Sequence, residues 1–138
     1  MNSKRSRTKP DPELMNAEER AAYYGKKVLS YMGLCSKAGK LRSGTNTCLF
    51  EMEKGSVKLL IVAGDLAENS AEKLLIKAEK LGVESRRYGL SDDLGKASGR
   101  YGAGVFGITD DNFADTIANA IDNTKLTGGT FNDREEQQ

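Results

Sequence analysis

Histidine is absent from this 138-residue chain. That removes the commonest general base near neutral pH and the commonest nitrogen ligand for a metal. Cysteine is scarce: Cys35 and Cys48 are the only two, and they form no Cys-x-x-Cys pair. Two thiols without further ligands make a poor zinc site, and buried, reduced thiols are their ordinary reading. Long apolar runs are missing too. No stretch approaches the roughly 18–20 residues that span a bilayer. The basic start (Lys4, Arg5, Arg7, Lys9) is not followed by the apolar segment of a secretory signal. These absences set the expectations: no metal, no cofactor, no small-molecule substrate, no membrane partner and a cytoplasmic location. With no nucleophile–base pair to assemble, the chain is expected not to be an enzyme.

What is present suits one soluble domain with one core. Apolar residues make up 38% and charged residues 30% of a length typical of a single domain. The net charge is only +1, but it is unevenly spread. Residues 1–101 hold 19 Lys and Arg against 13 Asp and Glu, whereas residues 102–138 hold 2 against 7. A local basic face matters more for nucleic-acid binding than the sum over the chain.

Residues 1–15 are polar and basic, with Pro10 and Pro12, and are expected to be a disordered arm. A helical stripe then runs through Ala21, Gly25, Val28, Leu29, Met32 and Cys35, and Gly39 stops it. Lys40-Leu41-Arg42 reads as a short extended piece. Ser43 or Thr45 can cap a second helix that reaches Lys54. Leu59-Leu60-Ile61-Val62-Ala63 is too short for a helix and apolar throughout, as a doubly covered central strand should be. Asn69, with Glu72 three residues on, predicts a capping box for a third helix, whose stripe is Ala71, Leu74, Leu75, Ala78 and Leu81. Glu84 to Tyr88 is extended and charged, which suits an edge strand. Ser91-Asp92-Asp93 opens a short fourth helix that stops at Gly99, residues 103–108 form another buried strand, and Asp110 caps a last helix with Phe113, Ile117 and Ile121 inward. Residues 123–138 are polar and acidic and are expected to be a disordered tail. Helices alternating with strands predict an α/β domain over residues 16–122: a three-layer α/β/α sandwich on a four-stranded mixed sheet.

The stretch richest in chemistry is Ser36-Lys37-Ala38-Gly39-Lys40-Leu41-Arg42-Ser43-Gly44-Thr45-Asn46-Thr47. Lys37, Lys40 and Arg42 converge just before a helix start, whose free amides and dipole favour a phosphate. Gly44 allows close approach of another backbone. Asn46 can donate and accept at once, the chemistry that reads a purine edge. Helix geometry puts Thr45, Cys48, Leu49 and Met52 on the buried face and projects Asn46, Thr47, Phe50 and Lys54 from the other. Phe50, one turn after Asn46, can stack on a base or a ribose. Incidental lysines around a helix cap would carry the same residue types, so these features alone leave both readings open.

From Gly39 through Asn46 the sequence resembles the signature of the kink-turn-binding ribosomal proteins called L-seven-Ae, and of their L-thirty-e-like relatives. Ala63-Gly64-Asp65 after the central strand and Asp93-Leu94-Gly95-Lys96-Ala97-Ser98-Gly99 later in the chain add to the resemblance, which covers about residues 22–121. It implies an RNA partner, kink-turn or ribosomal RNA, and a ribosome-associated monomer. By resemblance, Gly44 and Asn46 sit beside tandem sheared G·A pairs, flanked by Thr45 and Thr47. Lys37, Lys40 and Arg42 contact crowded phosphates. Arg100, Tyr101, Gly102 and Ala103 cover the unpaired bases, and Asp65 is expected among the RNA-binding residues. Three positions depart from the family pattern: Thr47 where glutamate is usual, Phe50 where a basic residue is usual, and Gly64 where an acidic residue is common. The first removes an acceptor for a base amino group, and the second removes a phosphate anchor.

Two rival functions follow from other features. Relatives of this fold that bind proteins make a protein-interaction module the alternative, and Phe50 and the acidic tail fit it. Gly99-x-x-Gly102-x-Gly104 looks like a nucleotide-binding loop, but it leads from helix to strand, the reverse of a phosphate loop. Asp65, Asp92 and Asp93 are accounted for as loop and helix-cap residues.

Overall fold

The computed structural model describes residues 11–125. Five helices and four strands alternate: α1 Ala17–Lys37, β1 Leu41–Ser43, α2 Thr45–Glu53, β2 Leu59–Val62, α3 Glu68–Lys80, β3 Glu84–Arg87, α4 Ser91–Ser98, β4 Val105–Ile108 and α5 Asp111–Thr124. The mixed sheet has the order β1-β4-β2-β3. β4 runs antiparallel to both β1 and β2, and β2 runs parallel to β3. Strands β1, β2 and β3 therefore point the same way and β4 points back.

The two central strands, β2 and β4, are buried along their whole length, as their unbroken apolar runs predict. Strand pleating sends alternate residues to opposite faces. Leu59, Ile61, Phe106 and Ile108 meet Val28 and Met32 of α1, Leu94 of α4, and Ile117 and Ile121 of α5. Leu60, Val62 and Val105 meet Cys48 and Met52 of α2 and Ala71, Leu74 and Ala78 of α3. These two cores make the three-layer sandwich. Each fully buried Leu, Ile or Phe among them is worth about 1.5–3 kcal/mol relative to exposure.

The helix ends follow their chemistry in most places. Asn16 and Glu19 form a reciprocal capping box at the start of α1. Asp110 accepts from the amide of Phe113 at the start of α5. Gly99, in the left-handed region, ends α4.

Several boundaries differ from expectation. Neither Ser43 nor Thr45 caps α2; Gly44 stands at the cap, with no side-chain bond. Asn69 does not open α3, which begins at Glu68 behind Ala67, again without a side-chain cap. Leu81 follows the last turn of α3 and is exposed, because the helix has ended before the stripe can carry it inward. Phe113 and Leu49 are half-buried, packed against the cores rather than within them. Pro12–Leu14 form a short 3-10 turn within the expected arm, and α5 continues through Asn123 and Thr124 into the expected tail. Residues 1–10 and 126–138 of the expected tails lie outside the described residues. No helix of the described residues is long and apolar enough to cross a membrane.

Candidate RNA interface at one end of the sheet

The strand directions decide which loops meet. The C-terminal ends of β1, β2 and β3 and the N-terminal end of β4 share one end of the sheet, where Ser43 pairs with Phe106 and Val62 pairs with both Val105 and Arg87. Four connections gather there: Gly44 before α2, residues 63–67 before α3, residues 88–90 before α4, and residues 99–104 before β4.

Two segments that are far apart in sequence are tied to β1. The carbonyl of Leu41 accepts from Arg42 Nη1 at 3.2 Å and from Arg100 Nη2 at 3.3 Å. The amide of Gly44 donates to the carbonyl of Val105 at 2.9 Å. Arg100 is thus tied to the start of β1, and Gly44 to the first residue of β4, into which the loop 99–104 leads. Arg42 also donates to the carbonyl of Gly39 at 3.1 Å, so its guanidinium lies along the outer edge of β1.

Gly44 has φ 98° and ψ 146°. This is backbone that essentially only glycine adopts, at about 1–3 kcal/mol for other residues. It turns the chain from strand to helix without a side-chain cap. Cys48 is the first α2 amide to bond back, to the carbonyl of Gly44, and the amides before it face the open end. Thr45, Asn46 and Thr47 are all exposed on this first turn. The expected burial of Thr45 is thus corrected: it is the first helical residue and overhangs the end of the sheet, while Cys48 and Met52 fill the core below. Phe50 is 62% exposed, with Lys54 Nζ 5.2 Å from its ring centre.

Tyr101 is 77% exposed, and Gly102 (φ 84°) turns the chain beside it. Ala103 is half-buried against the core below. The loop is seated on α4, because a Cβ on Gly95 would lie 2.9 Å from the carbonyl of Arg100.

Lys37 and Lys40 are exposed but stand apart from the loop cluster. Thr109, just past the other end of β4, donates its amide to the carbonyl of Lys40 at 2.9 Å. Lys40 is thus about 13 Å from Gly44 along the strand, four residues at a strand's rise. The three basic residues do not converge on the helix start: Lys37 ends α1, Lys40 precedes β1, and Arg42 lies along the edge of β1.

Asp65 has a structural role within the loops. Its two carboxylate oxygens accept from the amide and the hydroxyl of Ser91, both at 3.0 Å. The Ser91 backbone bond, then its hydroxyl, holds the carboxyl below the usual aspartate range. Asp65 thereby ties the loop before α3 to the start of α4 while remaining exposed.

The thiols take no part in this surface. Burial raises Cys35 to about 11, with Asp110 adding to the rise and Arg42 opposing it. Burial and then Glu51 raise Cys48 to about 12. Among the described residues no group of three or more His, Cys, Asp or Glu could hold a metal ion.

Sequence reasoning did not find the parts that hold the loops together: the Leu41 carbonyl, Ser91, the Gly64 amide that donates to the Gly89 carbonyl at 2.7 Å, and Arg87. None carries a local signal, since each acts only once distant strands have paired.

Residues 26–118 match the model of the Ribosomal protein L7Ae/L30e/S12e/Gadd45 family. The chain is 26% identical over 91 residues to the RNA-binding protein YlxQ of Bacillus subtilis (strain 168), covering 66% of this chain and 91% of that protein. It is similar to the structure of a protein with unknown function from Bacillus halodurans C, with a TM-score of 0.67 and 30% identity over 70% of this chain and 97% of that one. It also shares the fold of the Giardia lamblia 15.5kD RNA binding protein, with a TM-score of 0.60 and 20% identity over 83% of this chain and 95% of that one.

Proposed function

The chain belongs to the Ribosomal protein L7Ae/L30e/S12e/Gadd45 family, and from that premise we propose that it is a non-catalytic RNA-binding protein for a kink-turn or similarly folded RNA. The observation that carries this reading is the nearness of Arg42–Thr47 to Arg100–Ala103: Arg42 and Arg100 share the Leu41 carbonyl, and the Gly44 amide bonds to Val105, into which the 99–104 loop leads. One segment offers a side-chain amide unpaired among the described residues, exposed hydroxyls and open helix amides. The other offers an exposed tyrosine on a glycine turn. Lys37, Lys40 and Arg42 add cations from the end of α1 to the edge of β1.

A bent RNA needs this combination. Cations neutralise the phosphates that the bend crowds together, helix amides and Asn46 donate to purine edges, and aromatic rings receive unstacked bases. In this reading Asn46 faces the sheared G·A pairs. Tyr101 and the turn at Gly102 and Ala103 cover the unpaired bases, and Phe50 stacks where a phosphate anchor is usual. The reading places the protein with ribosomal or ribosome-associated RNA in the cytoplasm, acting as a monomer. Asp65 serves it indirectly, by setting the loops.

The relative named an RNA-binding protein supports this function at moderate identity. A protein-interaction module draws on the exposed Phe50, but the position of Phe50 one turn from Asn46 favours RNA. The test is a titration of a kink-turn RNA against the same RNA with its G·A pairs replaced by Watson–Crick pairs. Tight binding of the first alone is expected; equal binding of both would remove the kink-turn reading.

A further inference from the structure

Helix α3 begins with no side-chain cap, yet the loop before it lies at the interface and is held at every turn. The groups that hold it come from elsewhere in the chain. Arg87, the last residue of β3, reaches across from the strand paired with β2. Its Nη2 donates to the carbonyls of Gly64 at 3.2 Å and Leu66 at 2.8 Å. Its Nη1 donates to Glu68 Oε1 at 2.9 Å, in the first turn of α3. Between the two gripped carbonyls, Asp65 is fixed by Ser91.

We propose that Arg87 is a positioning residue for RNA recognition, clasping the loop 64–68 so that it stands ready beside the α2 start before RNA arrives. This inference rests on the RNA-binding reading above.

The chemistry fits arginine and no other side chain. Two carbonyls and a carboxylate must be held from one side, which a planar guanidinium with five donors does and a lysine ammonium on a flexible stem does not. The Nε of Arg87 is buried without a partner among the described residues. Buried donors are nearly always paired, so the side chain's pose is set by the clasp and not by its own satisfaction. Its neighbour Arg86 is the natural contrast. It points to the other face of β3 and binds Asp122 at 2.7 and 3.0 Å and Glu84 at 3.0 Å, touching no interface loop. A loop fixed in advance loses less freedom on binding, which is how a residue out of contact with RNA raises affinity.

The experiment compares the full chain with Arg87→Ala, Arg87→Lys and Arg86→Ala, using a kink-turn RNA at two salt concentrations and amide hydrogen exchange without RNA. Arg87→Ala should weaken binding about tenfold, the effect of losing charge-assisted hydrogen bonds. Arg87→Lys should recover little of it, although the charge is kept. Exchange at the Leu66 and Ser91 amides should rise about tenfold while Leu60 and Ile61 stay protected. The salt slope should not change, because Arg87 neutralises no phosphate in this role; a direct phosphate partner would flatten it by about 0.7–0.9 on removal. Arg86→Ala removes the same charge and should leave both RNA affinity and loop exchange near wild type. Wild-type affinity in both Arg87 variants, unchanged loop exchange, or a flattened slope would each overturn the proposal. If the unaltered chain binds no RNA, the RNA-binding reading falls and the positioning role with it, while exchange still reports whether Arg87 orders the loop.

Discussion

Asn46 projects from the first turn of α2, exposed and with no side-chain hydrogen bond among the described residues. A side chain that supports nothing in the fold can be removed without loss of stability, so its deletion isolates its effect on binding. Asn46→Ala should leave the melting temperature unchanged and weaken RNA binding by about 1–3 kcal/mol, the range for a specific base-edge contact. Calorimetric melting beside an RNA titration checks it. Lost stability with unchanged RNA discrimination would give Asn46 a role in the fold instead. Phe50 poses a sharper choice. If its ring stacks on a base, Phe50→Ala should cost about 1–3 kcal/mol of affinity. If it merely stands in place of a phosphate anchor, Phe50→Lys should bind more tightly with a steeper salt dependence. Lys54 over the ring already supplies a cation there, so loss with alanine and no gain with lysine is the expected pair of results. At this scale the sequence was informative where a side chain acts alone: the exposure of Asn46, Thr47 and Phe50 followed from helix periodicity. It was silent where a side chain acts through a distant partner. Nothing near Asp65 foretells Ser91, and nothing near Arg87 foretells the carbonyls of Gly64 and Leu66.

The elements were legible because each carries its own period. The apolar runs of β2 and β4 demanded cover on both faces, and the stripes Val28–Met32–Cys35 and Ile117–Ile121 demanded one face each. The starts of α2 and α3 were not legible. The expected caps were side chains from the helix's own sequence, whereas α2 starts from a glycine bonded to β4 and α3 from a loop held by β3. The turn from β1 to α2 gives the prediction at this level. Gly44→Ala places a side chain on backbone that only glycine adopts freely, although open space surrounds the position. Strain and not a clash should therefore lower stability, by about 1–3 kcal/mol. RNA affinity should fall as well, since the turn aims the first turn of α2. Denaturant unfolding and RNA titration of the one variant check both. An alanine variant with wild-type stability would mean that the turn is less constrained than its φ implies.

At the scale of the whole molecule, the fold places the four connecting loops at one end of the sheet and spreads the three basic residues from the end of α1 to the edge of β1. The strand directions alone decide this, and single-sequence patterns do not show strand order. That is why Lys37, Lys40 and Arg42, adjacent in sequence to the helix start, were read as converging on it, when Lys37 and Lys40 lie toward the far end of β1. Their charge still predicts their effect. Replacing all three with alanine should flatten the log K against log salt slope by about 0.7–0.9 for each phosphate that is no longer neutralised. Unfolding should change by no more than the loss of Arg42's bonds to the Gly39 and Leu41 carbonyls, since Lys37 and Lys40 are exposed charges that contribute little to stability. A slope equal to that of the unaltered chain would move the RNA to another face.

The central claim is that Arg42–Thr47 and Arg100–Ala103 together read a folded RNA by its shape and its purine edges. The most direct measurement is the dissociation constant of the full chain for one kink-turn RNA and for its partner with the G·A pairs replaced, in the same buffer at physiological salt. The account predicts that replacement weakens binding by about 1–3 kcal/mol or more, the discrimination a specific edge contact provides, and that this preference shrinks in Asn46→Ala. Equal affinity for the two RNAs, with the same salt slope, would show binding by charge alone and contradict the claim.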